Sequence, residues 1–152
     1  MKIIEQSQPI TIAGLSIRTS NSKGFEEIPA HWGAFFAQQM LAQIPDKIND
    51  ELYAVYTEFD RILESPQDIH SLGYTFVIGA AVSSTARLKA PLVSSVIPAA
   101  KRAVFAVQPA QPDQVGGQWQ KIWQMQDLKR IFAPDYEHYK LGGAINILVS
   151  IA

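Results

Sequence analysis

Tyr136-Glu-His-Tyr139 (YEHY) repeats the spacing of Tyr53-Ala-Val-Tyr56 (YAVY), which lies 83 residues earlier, 136 minus 53. Aromatic and β-branched residues favour strands, so the two stretches predict corresponding strands. Trp32 and Trp119, 87 residues apart (119 minus 32), hold similar places in two predicted helices. The repeat is weak at each point but agrees at several points, and it indicates two similar halves.

The first half reads as strand–helix–strand–strand. Ile10 to Ser20 and Leu52 to Phe59 are β-rich, and Gly73 to Val82 predicts a third strand. Phe25 to Ile44 has helical periodicity, carried by Ile28, Trp32, Phe35, Phe36, Met40 and Ile44. The stretch Ser65 to Leu72, SPQDIHSL, has the composition of a loop.

The second half repeats this order. Its predicted elements are a strand at Val93–Val107, a helical stripe from Val115 to Ile131, a strand at Tyr136–Tyr139 and a strand at Ile145–Ala152. Pro98 suggests a bulge or an edge position in the first of these strands. Gly142-Gly143 predicts a two-residue hairpin turn before the last strand.

Together these elements predict an α+β fold built from tandem pseudo-twofold β-α-β-β units. We expect one antiparallel sheet with two helices on one face and a central ligand cleft between the helices. A length of 152 residues suits one domain, residues 1–152, with internal halves at about 1–85 and 90–152.

Composition narrows the function. Hydrophobic residues make up 47% and charged residues 18% of a chain with a net charge of −1, which is typical of a globular protein with a full core. No basic patch is present, so direct nucleic-acid binding is not expected. No apolar run is long enough for a signal peptide or a membrane span. The absence of cysteine is consistent with a cytoplasmic protein.

Motifs for catalysis, metals and cofactors are not found. His31, His70 and His138 lack metal-ligand spacing and have no cysteine partners, so we read them as surface or structural residues. No nucleophile elbow, P-loop or dinucleotide fingerprint occurs. The sequence therefore predicts no metal, no cofactor and no catalytic residue.

Glu137 is the residue on which the functional interpretation depends. Successive side chains of a strand alternate faces, so Glu137 shares a face with Tyr139, and Tyr136 shares the other with His138. If the helices cover the Glu137 face, the carboxylate lies beneath Trp32 or Trp119. If they do not, Glu137 is a solvated surface charge, and the pattern alone leaves both possibilities open.

A set of aromatic residues recurs near this position. Its members are Trp32, Phe36, Tyr56, Trp119, Trp123 and Tyr139. Taken singly, each is explained as a core residue. As a set beside a buried carboxylate they suit a lipophilic cation, because each well-placed ring contributes roughly 0.5–2 kcal/mol by cation–π attraction.

Four motifs carry a resemblance that covers essentially the whole chain. They are YTFVIGAAV at 74–82, VIPAAKRAVFAV at 96–107, GGQWQKIW at 116–123 and DYEHYK at 135–140. In order and spacing the chain resembles the GyrI-like small-molecule-binding domain, the effector-binding module of AraC-type and MerR-type multidrug regulators. The resemblance implies the same tandem fold, and it implies that Glu137 faces the pocket as counter-ion to cationic ligands. It also implies that aromatic residues near Trp32 stack on the ligand, with Trp119 opposite.

One departure shapes the hypotheses. Such regulators carry a helix-turn-helix domain, whereas this sequence starts with the module's first strand, so we expect a stand-alone module. The leading hypothesis is non-enzymatic binding of amphipathic, drug-like or dye-like organic cations. The alternative is a protein–protein inhibitor or modulator of DNA gyrase or of a partner regulator. A hydrolase of reactive small molecules, with Glu137 as general base, is the third.

Overall fold

The computed structural model describes residues 1–60 and 71–152. Its strands are β1 (Lys2–Gln6), β2 (Ile10–Ser20), β3 (Leu52–Thr57), β4 (Gly73–Ala81), β5 (Val93–Ile97), β6 (Ala100–Ala106), β7 (Asp135–Tyr139) and β8 (Ile145–Ser150). Its helices are α1 (Gly24–Ala37), α2 (Met40–Gln43) and α3 (Val115–Trp123). His70 and most of the predicted loop Ser65–Leu72 lie outside the described residues.

The described strands form one eight-stranded sheet in the order β1-β6-β8-β7-β3-β4-β2-β5, and every neighbouring pair is antiparallel. Exchanging β1 with β5, β2 with β6, β3 with β7 and β4 with β8 reproduces this order in reverse. The pseudo-twofold axis therefore passes between β3 and β7. The predicted α+β class, with tandem units in one antiparallel sheet, is confirmed.

Both long helices cover the same face of the sheet. Phe35 of α1 packs with Phe76 and Ile78 of β4, while Ile122 of α3 packs with Ile147 of β8. A third buried cluster occupies the opposite face. Strands β4 and β8 are thus buried on both sides, which explains why their sequences, GYTFVIGAA and INILVS, are nearly continuous apolar runs.

The two halves exchange their first strands, an arrangement that the sequence pattern does not predict. Val93–Val107 is not one strand, because the chain breaks at Pro98 and its two pieces join opposite ends of the sheet. β5 pairs with β2 of the first half, and β1 pairs with β6 of the second. Each unit is therefore β-β-α-β-β. The strand Lys2–Gln6 was missed because it is a short, mostly exposed edge strand.

A buried arginine holds this exchange together. Arg102 of β6 is 0% exposed and donates hydrogen bonds to Gln6 Oε1 (2.7 Å), Pro98 O (2.8 Å) and Pro134 O (2.8 Å). Its guanidinium also lies over the ring of Tyr136, 5.1 Å from the centroid. These contacts join β1, the break after β5, and β7 on the face opposite the helices.

Both helices end earlier than predicted, and the last hairpin turn is one residue longer. The helix predicted over Phe25–Ile44 ends at Ala37, where Gln39 takes a left-handed conformation (φ 53°), and α2 then continues the apolar pattern. α3 ends at Trp123 rather than near Ile131. The last hairpin turn has three residues, Leu141–Gly143, closed by Lys140 N donating to Ala144 O. Gly143, at φ 96°, supplies the left-handed residue that such a turn needs.

Candidate functional site

Glu137 lies on the helix-covered face of β7 and is 2% exposed, so it is not a solvated surface charge. Its partner across the β3–β7 ladder is Ala54. The offset of 83 residues that relates Tyr53 to Tyr136 also relates Ala54 to Glu137. The carboxylate therefore stands beside the pseudo-twofold axis, and the equivalent position of the other half holds a methyl group.

Three donors converge on this carboxylate. The Tyr56 hydroxyl donates to Oε2 (2.5 Å), the Trp119 indole N–H donates to Oε2 (2.7 Å), and the Tyr139 hydroxyl donates to Oε1 (2.6 Å). Tyr56 and Tyr139 are the second tyrosines of the two repeats. Hydrogen bonds to a charged group are stronger than neutral ones, roughly 1.5–3 kcal/mol each. The three bonds therefore hold an anion in the interior.

Burial and hydrogen bonding act on the Glu137 pKa in opposite directions. Burial raises the pKa because it disfavours the charged form, and the bonds from Tyr139, Tyr56 and Trp119 lower it in part. The net direction is upward. Burial and the neighbouring Glu137 charge raise the pKa of Tyr56 and of Tyr139, so both phenols stay protonated and remain donors.

A cavity of about 620 Å³ lies between α1 and α3 with the sheet as its floor. This volume is within the range of about 300–1,000 Å³ typical of ligand pockets. All seven predicted site residues line it: Glu137, Trp32, Phe36, Tyr56, Trp119, Trp123 and Tyr139. The remaining wall is largely apolar and includes residues that the sequence analysis did not select: Phe25, Ile28, Phe59, Leu72, Tyr74 and Val115.

The aromatic wall follows the pseudo-twofold. The ring of Trp32 meets that of Tyr139 edge-on at 5.2 Å, and the ring of Trp119 meets that of Tyr56 edge-on at 5.0 Å. Phe36 extends the first pair by stacking on Trp32 at 5.9 Å. Because Phe36 is 55% exposed, it forms part of the cavity mouth rather than of the core.

A second buried carboxylate of the cavity wall was missed. Asp135 is 0% exposed and pairs with Arg130, with 2.9 Å between Oδ2 and Nη2. Its Oδ1 accepts hydrogen bonds from the backbone N–H and the hydroxyl of Ser150. Burial raises the pKa of Asp135, and Arg130 and Ser150 oppose that shift. Strand alternation, extended by two residues from Glu137, would have put Asp135 on the same face, whereas no local pattern points to Arg130.

The Arg130 guanidinium is enclosed by two rings. It lies 5.8 Å from the ring centroid of Trp119 and 4.5 Å from that of Phe132. Arg130 is brought to the site by an isolated antiparallel bridge to Ile151. The indole of Trp119 thus contacts the Arg130 guanidinium through its ring face and donates its N–H to Glu137.

Two histidines have structural partners. The ring of His31, buried in α1, lies 2.7 Å from Leu15 O through Nε2, and His138 Nε2 lies 2.9 Å from Glu51 Oε1. Within residues 1–60 and 71–152, no cluster of three or more His, Asp or Glu side chains could bind a metal ion. No helix in the described part of the chain is both long and apolar enough to span a membrane.

Comparison with known proteins gives a family match over residues 3–151, to the family described as Cass2, integron-associated effector binding protein. No curated protein sequence matches this one. The fold matches an integron cassette protein from the mobile metagenome of Vibrio cholerae, at 20% identity and a TM-score of 0.73, over 99% of this chain and 95% of that one.

Two further solved structures share the fold. One is a protein, SAV2435, bound to tetraphenylphosphonium, at 16% identity and a TM-score of 0.75, over 99% of this chain and 93% of that one. The other is a proposed transcription regulation protein from Staphylococcus aureus MU50, at 15% identity and a TM-score of 0.71, over 99% of this chain and 96% of that one. The predicted resemblance to effector-binding domains is confirmed.

Proposed function

The chain belongs to the Cass2 family of integron-associated effector-binding proteins, and from that premise we propose that it binds amphipathic organic cations between α1 and α3. The observation that carries this proposal is a buried carboxylate, Glu137, on the wall of a largely aromatic cavity. Glu137 is the counter-ion, and the rings of Trp32, Tyr56 and Tyr139 surround the ligand. The cationic ligand of one structural neighbour supports the same chemistry.

Because Glu137 is 2% exposed, a cation can reach it only if one of the three side chains that donate to Glu137 moves. Trp119 is the best placed of the three to do so. It belongs to α3, a helix of nine residues whose first turn contains Gly116 and Gly117. Glycine is a weaker helix former than every residue except proline, so this short helix has little intrinsic stability. We therefore assign α3 as the adjustable wall, in which the indole of Trp119 withdraws and a ligand ring replaces it beside Tyr56.

The hydrogen bonding of Glu137 favours binding over hydrolysis. A carboxylate has about four acceptor positions, and three of those of Glu137 are occupied by Tyr56, Tyr139 and Trp119. A counter-ion acts through its charge and keeps the bonds from Tyr56 and Tyr139 when Trp119 withdraws, whereas a general base takes up a proton and so weakens both bonds. Modulation of DNA gyrase or of a partner regulator stays a prediction.

Two ions of the same shape and opposite charge test the proposal. We expect tetraphenylphosphonium to bind and quench tryptophan fluorescence, because its charge complements Glu137 and its rings match the cavity wall. Tetraphenylborate, which has the same four phenyl groups and a negative charge, is expected to bind at least 100-fold more weakly. Isothermal titration of both ions into the protein measures the ratio. Equal affinities would show that shape, not charge, selects the ligand.

A further inference from the structure

One hydrogen-bond donor in the cavity wall takes no part in cation binding at Glu137. The Nε atom of Arg130 is buried and, among the described residues, has no hydrogen-bond partner. The Arg130 side chain is 10% exposed and lines the cavity. Its Nη2 donates a hydrogen bond to Asp135. The Nε–H is therefore a donor that this ion pair does not satisfy. A buried donor without an acceptor is unfavourable.

The charges around the cavity restrict what can meet this donor. The pair of Arg130 and Asp135 is neutral as a unit, which leaves Glu137 as the buried charge to be balanced. A ligand with one positive charge balances Glu137 completely. A carboxylate added to the ligand would lie near Asp135 and leave the buried site with a net negative charge. A neutral acceptor, such as an ester, amide or ketone oxygen, satisfies Nε without that cost.

Trp119 lies between the two groups that would recognise the ligand, Glu137 and Arg130. Its N–H bonds Glu137 and its face covers the Arg130 guanidinium. When a ligand ring replaces this indole, the ligand's cation comes close to Glu137 and a substituent on the ring reaches Arg130. In the ligand, the positive charge and the hydrogen-bond acceptor should therefore lie on opposite sides of one aromatic ring system.

Resting on the proposed function, we infer that the preferred ligand of this site is an aromatic monocation that carries a neutral carbonyl acceptor, which accepts a hydrogen bond from Arg130. Hydrocarbon cations occupy the same site through Glu137 and the aromatic wall alone. The carbonyl adds selectivity by satisfying the donor that the protein leaves unpaired.

Three benzyl(triphenyl)phosphonium probes separate the contributions. They differ only in the para substituent of the benzyl ring: sec-butyl, methoxycarbonyl or carboxylate. The sec-butyl group has the branching of the ester and no acceptor. We expect the ester to bind about tenfold more tightly than the sec-butyl probe. We expect the carboxylate probe to bind more weakly than the ester.

Arg130→Lys provides the variant arm, because lysine keeps the positive charge beside Asp135 and lacks Nε. A thermal melt checks that this variant is folded. The ester's advantage over the sec-butyl probe, measured within the variant, should fall to about twofold or less. A change that affects both probes alike cancels in this ratio. If the variant is unstable, the comparison of the three probes in the unmodified protein still tests the inference.

The outcomes distinguish the two proposals. Equal affinities of the ester and the sec-butyl probe overturn the inference while leaving the cation site intact. A carboxylate probe that binds more tightly than the ester also overturns it, in favour of an anionic acceptor. The cation site itself is contradicted if none of the three probes binds. It is also contradicted if each probe binds Glu137→Gln as tightly as it binds the unmodified protein.

Discussion

Glu137→Gln is expected to weaken tetraphenylphosphonium binding by about 30- to 150-fold. A charge pair at about 4 Å with an effective dielectric of ~20 contributes roughly 4 kcal/mol before desolvation, and we take about 2–3 kcal/mol as the net loss. Glutamine keeps the shape of the side chain and an oxygen acceptor, so the change removes mainly the charge. Isothermal titration calorimetry measures the difference.

Glu26→Gln is the matched control. Glu26 is exposed on α1 and does not line the cavity, so the same chemical change there should alter the affinity by less than about twofold, because exposed charges are strongly screened. If both substitutions change the affinity equally, the effect is general electrostatics and Glu137 is not the counter-ion.

Asp135→Ala is expected to destabilise the protein by about 3–5 kcal/mol, the loss seen when one partner of a buried ion pair is removed. The substitution leaves the Arg130 guanidinium in the interior without its anion. It also leaves the N–H and hydroxyl of Ser150 without the acceptor Oδ1. Urea denaturation, read by tryptophan fluorescence, gives the free energy of unfolding of both proteins.

Asp113→Ala controls for the loss of a carboxylate at the cavity. Asp113 also lines the cavity but is exposed, and the free energy of unfolding should change by no more than about 0.5 kcal/mol. An Asp135→Ala variant as stable as the unmodified protein would mean that the buried pair is not needed to hold the wall.

The internal repeat and strand alternation predicted most of the fold and much of the cavity wall. The Tyr-x-x-Tyr pattern placed β3 and β7 as equivalent strands, and the structure shows them as neighbours on either side of the pseudo-twofold axis. Alternation grouped Glu137 with Tyr139, and the structure places both on the helix-covered face. Each of these features depends on residues within one short segment, so the periodicity of that segment predicts it.

The remaining features depend on contacts between distant segments. Pairing of Lys2–Gln6 with Ala100–Ala106 leaves no local signal, because a short edge strand shows little alternation. Arg130 reaches the cavity because its segment is bridged to Ile151, 21 residues further along the chain. The three donors on Glu137 come from β3, α3 and β7, and their convergence follows from the packing of α3 on the sheet.

The pseudo-twofold explains why the site holds one central anion. Positions 54 and 137 are equivalent and face each other across the ladder. Two carboxylates directly opposite one another in an antiparallel pair would repel each other. Ala54 removes that repulsion and leaves room beside the axis, so two similar halves place a single carboxylate at the centre of the cavity floor.

The central claim is that the charge of Glu137 responds to the ligand, and the pKa of that carboxyl group tests it most directly. Burial raises the pKa, and a cation bound beside the carboxylate stabilises the ionised form and lowers it. By linkage, cation affinity must fall as the pH drops through the raised pKa of the unbound protein.

The measurement is a pH titration of the ¹³C carboxyl resonance of Glu137, with and without saturating tetraphenylphosphonium. The resonance is assigned by its absence from the spectrum of Glu137→Gln. We expect a midpoint above the ordinary glutamate value in the protein alone and a midpoint at lower pH in the complex. The same midpoint in both titrations would contradict this expectation.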